Sequence, residues 1–274
     1  MTAPRLTMLD ERTIPQLGVG TRTMDPGDVQ RAVEAALETG YRHIDAAALH
    51  GGEQAVARAV AASGLPREDL FLAAELPEGA RGRDDVMAAC DAALERLGTD
   101  HVDLCLLRRP GPQADDRPAA WRAMGEIRDS GLARSVGVAD VPAGMLQEAV
   151  DTGVMPMVHQ IELHPWFPQI EMRAAAAAHG ILTEARSPLS RGEQLLEDPV
   201  IVGIAEEIGA TPAQTVLAWH LAIGDVVVPT SVTPEHIREN WGALDIVLGE
   251  EELEQITALG REDGRVGRTA AQLG

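Results

Sequence analysis

Eight short β-type runs, each followed by a stretch with helical spacing, constrain this chain more than any other feature of its sequence. The runs are LGVGT, YRHIDAA, LFLAAEL, VDLCLLR, SVGVAD, MVHQIEL, LTEARSP and DVVVPT. Between them lie segments such as DVQRAVEAALETG, where apolar residues recur every three or four positions until Gly40 stops the helix. Eight such units suit a closed barrel better than an open sheet, so the sequence predicts an α/β fold, a (β/α)8 TIM barrel. The opening LTMLDERTIPQL predicts an N-terminal β-hairpin turning at Asp10–Arg12. Two extra helices are expected, TPAQTVLAWHLAIG before the last strand and EEELEQITALG after it. No linker, low-complexity tract or internal repeat divides the chain, so residues 1–274 read as one domain.

Charge and cysteine usage narrow the partners. A net charge of −20 with no basic stripe excludes a nucleic-acid partner, because such binders displace counterions with clustered cations. No apolar run reaches the roughly 18 residues of a membrane helix, and the first residues lack a charged head followed by an apolar stretch, so neither a membrane span nor a signal peptide is expected. Cys90 and Cys105 are too few for a disulfide framework, and a reducing, cytoplasmic setting is expected. All 23 Lys+Arg positions are arginine, and Tyr41 is the single tyrosine. Chemistry needing a lysine amine or a second phenol is therefore closed to this chain.

TIM barrels build their sites at the C-terminal strand ends. Here those ends carry Asp45 and His50, Glu75, Arg108 and Arg109, Asp140, His159 and Gln160, Arg186, then Thr230 and Ser231. The rim is ionic. Glu75 and Arg108 end adjacent strands and can bridge, while Asp45 and Glu75 repel unless a cation or a proton lies between them. Arg109 and Arg186 need counter-charge, from carboxylates or from an anionic ligand. His159, with His50 and Glu75, has the residue types of a two-histidine, one-carboxylate centre. The ligands lack local spacing and sit among arginines, so no metal is expected. His43 and His164 read as structural, and Trp166 follows the sixth strand where it could line a pocket.

The strings PQLGVGT, GYRHIDAAALHGGE, RLGTDHVDLCLL, HQIELHP, ILTEARSPLS, VVVPTSVTPEHIREN and LGEEELEQITAL together resemble the aldo-keto reductase superfamily, over nearly the whole chain and in family order. The resemblance implies carbonyl reduction with NADPH. In that family a tyrosine supplies the proton, a lysine paired with an aspartate lowers its pKa, and a histidine orients the carbonyl. Carried over by position, only the aspartate remains, as Asp45; His50 stands in the tyrosine's place, Glu75 in the lysine's, and Arg108 in the histidine's. Gln160 is kept from the nicotinamide site, whereas the stacking aromatic is Arg186 and the Ser-Asn pair is Ala139–Asp140. At the adenosine end Ser231, Val232, Glu239 and Asn240 match the pattern, and the helix opening at Thr233–Pro234 offers N–H donors to a phosphate. The lysine and the 2′-phosphate arginine have become Thr230 and His236.

A member lacking the family's tyrosine, lysine and histidine is expected to have left ordinary carbonyl reduction. The expectation is a repurposed enzyme that needs no cofactor and does non-redox acid–base chemistry, such as dehydration, isomerisation or cyclisation, on an anionic or enolisable small molecule. His50 would move the proton, with Glu75, Asp45 and Arg108 as the other catalytic groups. Arg109, Arg186, His159 and Trp166 would contact substrate. Two alternatives stay open: an NADPH-dependent oxidoreductase with an atypical proton donor, and a non-catalytic pseudoenzyme.

Overall fold

The structure is a computed structural model that describes residues 2–22, 24–47, 51–80, 82–110 and 117–267. His50, the expected proton-moving group, lies outside the described residues. The chain opens with a hairpin of β1 (Arg5–Thr7) and β2 (Thr13–Pro15), paired antiparallel with Leu6 opposite Ile14. Then come β3 (Val19–Gly20), α1 (Pro26–Thr39), β4 (His43–Ala47), α2 (Gly52–Ser63), β5 (Phe71–Leu76), α3 (Gly82–Leu97), β6 (Val102–Arg108) and α4 (Arg117–Asp129). These are followed by β7 (Ala133–Ala139), α5 (Ala143–Asp151), β8 (Val158–Glu162), α6 (Ile170–Ala177) and β9 (Leu182–Arg186). Three helices, α7 (Glu193–Leu196), α8 (Pro199–Ile208) and α9 (Pro212–Ala222), precede β10 (Val226–Val228), and α10 (Pro234–Trp241) and α11 (Glu250–Thr257) follow it. α9 and α11 are the two extra helices the sequence predicts.

Strands β3 to β10 pair in chain order, all parallel. Closure runs through the backbone, with the Gly18 and Gly20 N–H groups donating to Val227 and Pro229 at 2.9 and 3.0 Å, and Val227 N–H to Gln16 at 2.8 Å. The result is a (β/α)8 TIM barrel. Helix boundaries follow local chemistry: a Thr211–Gln214 capping box opens α9, Asp198 caps α8, and Gly40, at φ 125°, ends α1 where a side chain would be strained.

Strand side chains alternate, and this splits the apolar residues into two layers. Inside the barrel, Phe71, Ala73, Leu104, Leu106, Val158 and Val226 pack against Met8 and Ile14 of the hairpin, which stoppers the N-terminal end. The intervening residues, among them Ile44, Leu72, Cys105, Leu107 and Val136, face the helices. Tyr41 precedes β4 and is buried, donating its hydroxyl to the Ile237 carbonyl at 3.0 Å, so it lies away from the strand C-termini. Among the described residues no helix is long and apolar enough to cross a membrane.

At Gly137 the neighbouring strand leaves no room for a side chain, since a Cβ there would meet the Val158 carbonyl oxygen at 2.5 Å and Leu106 at 2.8 Å. The obstruction is backbone and cannot turn aside, so Gly137→Ala should cost about 2 kcal/mol or more, read as a fall in the urea midpoint. An unchanged midpoint would mean that the strands separate freely.

Candidate active site

Above the apolar stopper the barrel interior turns polar, because the inward positions near the strand C-termini are Asp45, Glu75, Arg108, Gln160, Glu162, Glu184 and Arg186. Arg108 bonds Glu75 with one terminal nitrogen and Asp140 with the other. Arg22, just beyond β3, reaches the same Glu75 oxygen at 2.5 Å. On the far side Arg186 Nε donates to both Asp140 oxygens, at 2.8 and 2.9 Å, and its Nη2 lies 3.5 Å from Glu162. The six groups form an alternating ladder: Arg22, Glu75, Arg108, Asp140, Arg186, Glu162. Asp140 takes its place by adopting φ 52°, a left-handed conformation that aspartate tolerates better than most residues.

Beside this ladder, Gln160 Nε2 donates to Asp45 Oδ2 at 3.0 Å and to Glu184 Oε1 at 2.7 Å. Both amide protons are therefore engaged, which fixes the amide orientation and leaves its oxygen to accept. Glu184 also faces His43, 3.7 Å away. Burial sets the titration of these carboxyls. It raises Asp45 to about 6 against the Gln160 hydrogen bond and the Arg22 charge. It raises Glu75 to about 7 against Arg22, with the Asp45 charge adding to the rise, and Glu184 to about 8 with the same help from Asp45.

Glu162 is the counter-example. Burial alone would raise it, but the His164 ring, the N–H groups of Val266 and Gly267 at 2.6 and 2.9 Å, and the Arg186 charge bring it down to about 2. Those N–H contacts tie the C-terminal segment across the barrel mouth. Along it the Arg261 guanidinium lies 3.7 Å over the Trp166 ring and Arg265 lies 5.2 Å from Phe167. Gly267 sits where a Cβ would collide with the Glu162 carboxylate.

The structure brings Asp45, Glu75, Arg108 and Arg186 together and leaves other expected residues out. His159 is fully buried on the outward face of β8, with Nε2 donating to the Val141 carbonyl at 3.1 Å, so strand parity removes it from the interior. Trp166 is roofed by Arg261 and donates to Asp198, and it belongs to the C-terminal packing instead of a substrate pocket. Arg186 is held by two carboxylates, and Arg109 turns to the Asp140 carbonyl and Glu78. Neither arginine waits for a ligand as its only counter-charge. Ser231 and Val232 lie ahead of α10, the Ser231 hydroxyl accepting from Thr233 N–H at 3.2 Å and Val232 being exposed; Glu239 and Asn240 lie at the far end of that helix, Asn240 buried. Sequence reading missed Arg22, Glu162 and Glu184. Alternation from Gln160 and from Arg186 would have found the two glutamates.

A parallel barrel with its ionizable groups gathered at the strand C-termini belongs to the class of scaffolds that carry their sites there. The sequence profile of the Aldo/keto reductase family matches residues 15–261, and the chain belongs to that family. An aldo-keto reductase of Mycolicibacterium smegmatis is 45% identical over 258 residues, 94% of each chain, and Aldo-keto reductase Rv2971 of Mycobacterium tuberculosis is 42% identical over 94% of this chain and 91% of its own. The crystal structure of an aldo/keto reductase from Brucella melitensis superposes with a TM-score of 0.90 at 39% identity, covering 94% of this chain and all of that one. A point variant of Gox0644 in complex with NADPH superposes at 0.91 with 33% identity, over 98% and 97% of the two chains. These relatives overturn the expectation of non-redox chemistry without a cofactor: three of them are named reductases, and the fourth holds NADPH.

Glu184 gives the site a measurable signature. With its folded value near 8, the folded chain holds a proton that the unfolded chain releases near 4.5, so stability is lost as pH rises between those values. His43 and His159, lowered by burial to about 4, act in the opposite sense below 6.5. From pH 6.5 to 8 the histidines no longer contribute, and Glu75, raised to about 7, adds to the loss in wild type and variant alike, so the difference between the two isolates Glu184. There the urea midpoint should fall for the wild type and fall less for Glu184→Gln; equal slopes would show that Glu184 ionises normally.

Proposed function

We propose that this chain is an NAD(P)H-dependent carbonyl oxidoreductase whose proton comes from a buried carboxyl, Glu75, instead of a phenol. The observation that carries this reading is the setting of Glu75: 3% exposed, raised to about 7, and bonded through one oxygen to both Arg22 and Arg108. Its other oxygen has no partner among the described residues. Family membership and the NADPH-bound neighbour support the redox class of the reaction.

The residues present fit the dinucleotide. The N-cap of α10, Thr233, makes no side-chain hydrogen bond to its own helix, which leaves the first-turn N–H groups to face a phosphate beside Ser231 and the exposed Val232. Gln160 Oε1 is left to accept from a carboxamide, and the Arg186 guanidinium is a planar group held rigid by Asp140 and Glu162. When bound, the reduced dinucleotide supplies two electrons and one hydrogen to the carbonyl carbon.

The chain supplies the rest. Glu75, raised to about 7, is about half protonated at neutral pH, and the protonated form gives its proton to the carbonyl oxygen, completing the alcohol. The carboxylate left behind lies between two guanidiniums, so the charge created by the transfer forms where cations already stand. Asp45 raises the proton affinity of Glu75 through its own negative charge, and Gln160 holds Asp45 in place.

NADPH oxidation followed by absorbance across a panel of aldehydes and 2-oxo compounds tests the reading. Turnover is expected, with kcat/KM falling as pH rises through about 7 because the donor must be protonated. Glu75→Gln should lower kcat about 100-fold or more while NADPH affinity, read by fluorescence, stays within a few-fold. A protein that neither binds nor oxidises NADPH, or a glutamine variant of undiminished rate, would sink it.

A further inference from the structure

The ladder is neutral only while Glu75 is ionised. With all six groups charged, three guanidiniums face three carboxylates; with the proton of reduction on Glu75, three face two, Asp140 and Glu162. The unmatched charge does not spread evenly. Arg108 and Arg186 each touch two carboxylates and are 8% and 15% exposed at the side chain. Among the described residues Arg22 pairs with Glu75 alone, through Nη1, and its side chain is 30% exposed. Among the described residues its Nε and Nη2 make no hydrogen bond. Arg22 is thus the solvent-facing end of the ladder, with two donors to spare in the geometry that a carboxylate fills bidentately.

We propose that the substrate brings the missing anion: an oxo acid whose carboxylate sits on Arg22 while its carbonyl oxygen faces Glu75. The inference rests on the carbonyl-reducing reading and specifies its substrate class. Because Arg22 and Glu75 are in direct contact, the two substrate groups must be near neighbours, which points to 2-oxo and 3-oxo acids and away from long-chain ones. Charge makes the arrangement self-consistent. A carboxylate on Arg22 disfavours ionisation of the adjacent Glu75, so binding the acid loads the donor, and a loaded donor leaves Arg22 free for the acid. Glu75 otherwise faces Arg108 from β6, Asp45 from β4 and Asp140 from beyond β7. The net charge of −20 repels anions at long range, so recognition has to come from this local contact.

Esters test the idea because they keep the carbonyl and remove the charge. Initial rates with NADPH are compared for pyruvate against ethyl pyruvate and for 3-oxobutanoate against its ethyl ester. Each acid is expected to exceed its ester about tenfold or more in kcat/KM, mainly through KM. Arg22→Gln should bring that ratio towards one, and Arg22→Lys, which keeps a cation, should retain part of it. Esters used as well as acids by the wild type, or a ratio untouched in Arg22→Gln, overturn the proposal and leave the reductase reading standing. Calorimetric binding of unreactive oxamate against ethyl oxamate reads Arg22 without turnover. If NADPH is neither bound nor oxidised, the reductase reading fails alone provided oxamate still binds more tightly in the wild type than in Arg22→Gln; equal binding of oxamate and its ester sinks the substrate proposal as well.

Discussion

A guanidinium inside a barrel costs several kcal/mol unless a carboxylate meets it, and this interior places three of them in one row. Every other polar feature follows from that requirement. Asp140 takes a left-handed backbone to reach both Arg108 and Arg186, Glu162 stays ionised to complete the row, and Glu75 is held from two sides. The row also explains the second group of carboxyls. Among the described residues, Asp45 and Glu184 lie beside it with no arginine bonded to them, share one glutamine amide, and are pushed by burial towards the neutral form.

The same electrostatics connect this site to the family it departs from. A phenol has to be brought down to donate a proton near neutrality, and a neighbouring lysine does that in the family pattern. A carboxyl has to be brought up, and burial with a nearby aspartate does that for Glu75. The two solutions approach neutral pH from opposite sides. In the proposed reading, proton donation passes from the tyrosine to the glutamate that stands in the lysine's place; the expectation of non-redox chemistry fails on the named reductases and the NADPH-bound neighbour.

The barrel was legible because it depends on local patterns: the eight runs, the glycine stops and the hairpin signal all act over a few residues. Asp45, Glu75 and Arg108 were legible for the same reason, as strand ends with fixed parity. His159 was misplaced because its position was counted from the strand end without its face, although one step from the inward Gln160 turns it outward. Arg22 was missed because it lies in a loop beyond a two-residue strand, where no period constrains the side chain. The roofing of Trp166 depends on a segment almost a hundred residues further along the chain, and nothing near the tryptophan announces it.

The hairpin stopper has a consequence for traffic. With Met8 and Ile14 wedged among Phe71, Leu104 and Val226, the tube is blind at one end, and solvent, substrate and protons all pass through the same opening. Whatever fills that opening isolates Glu184 and His43 at the bottom from bulk water.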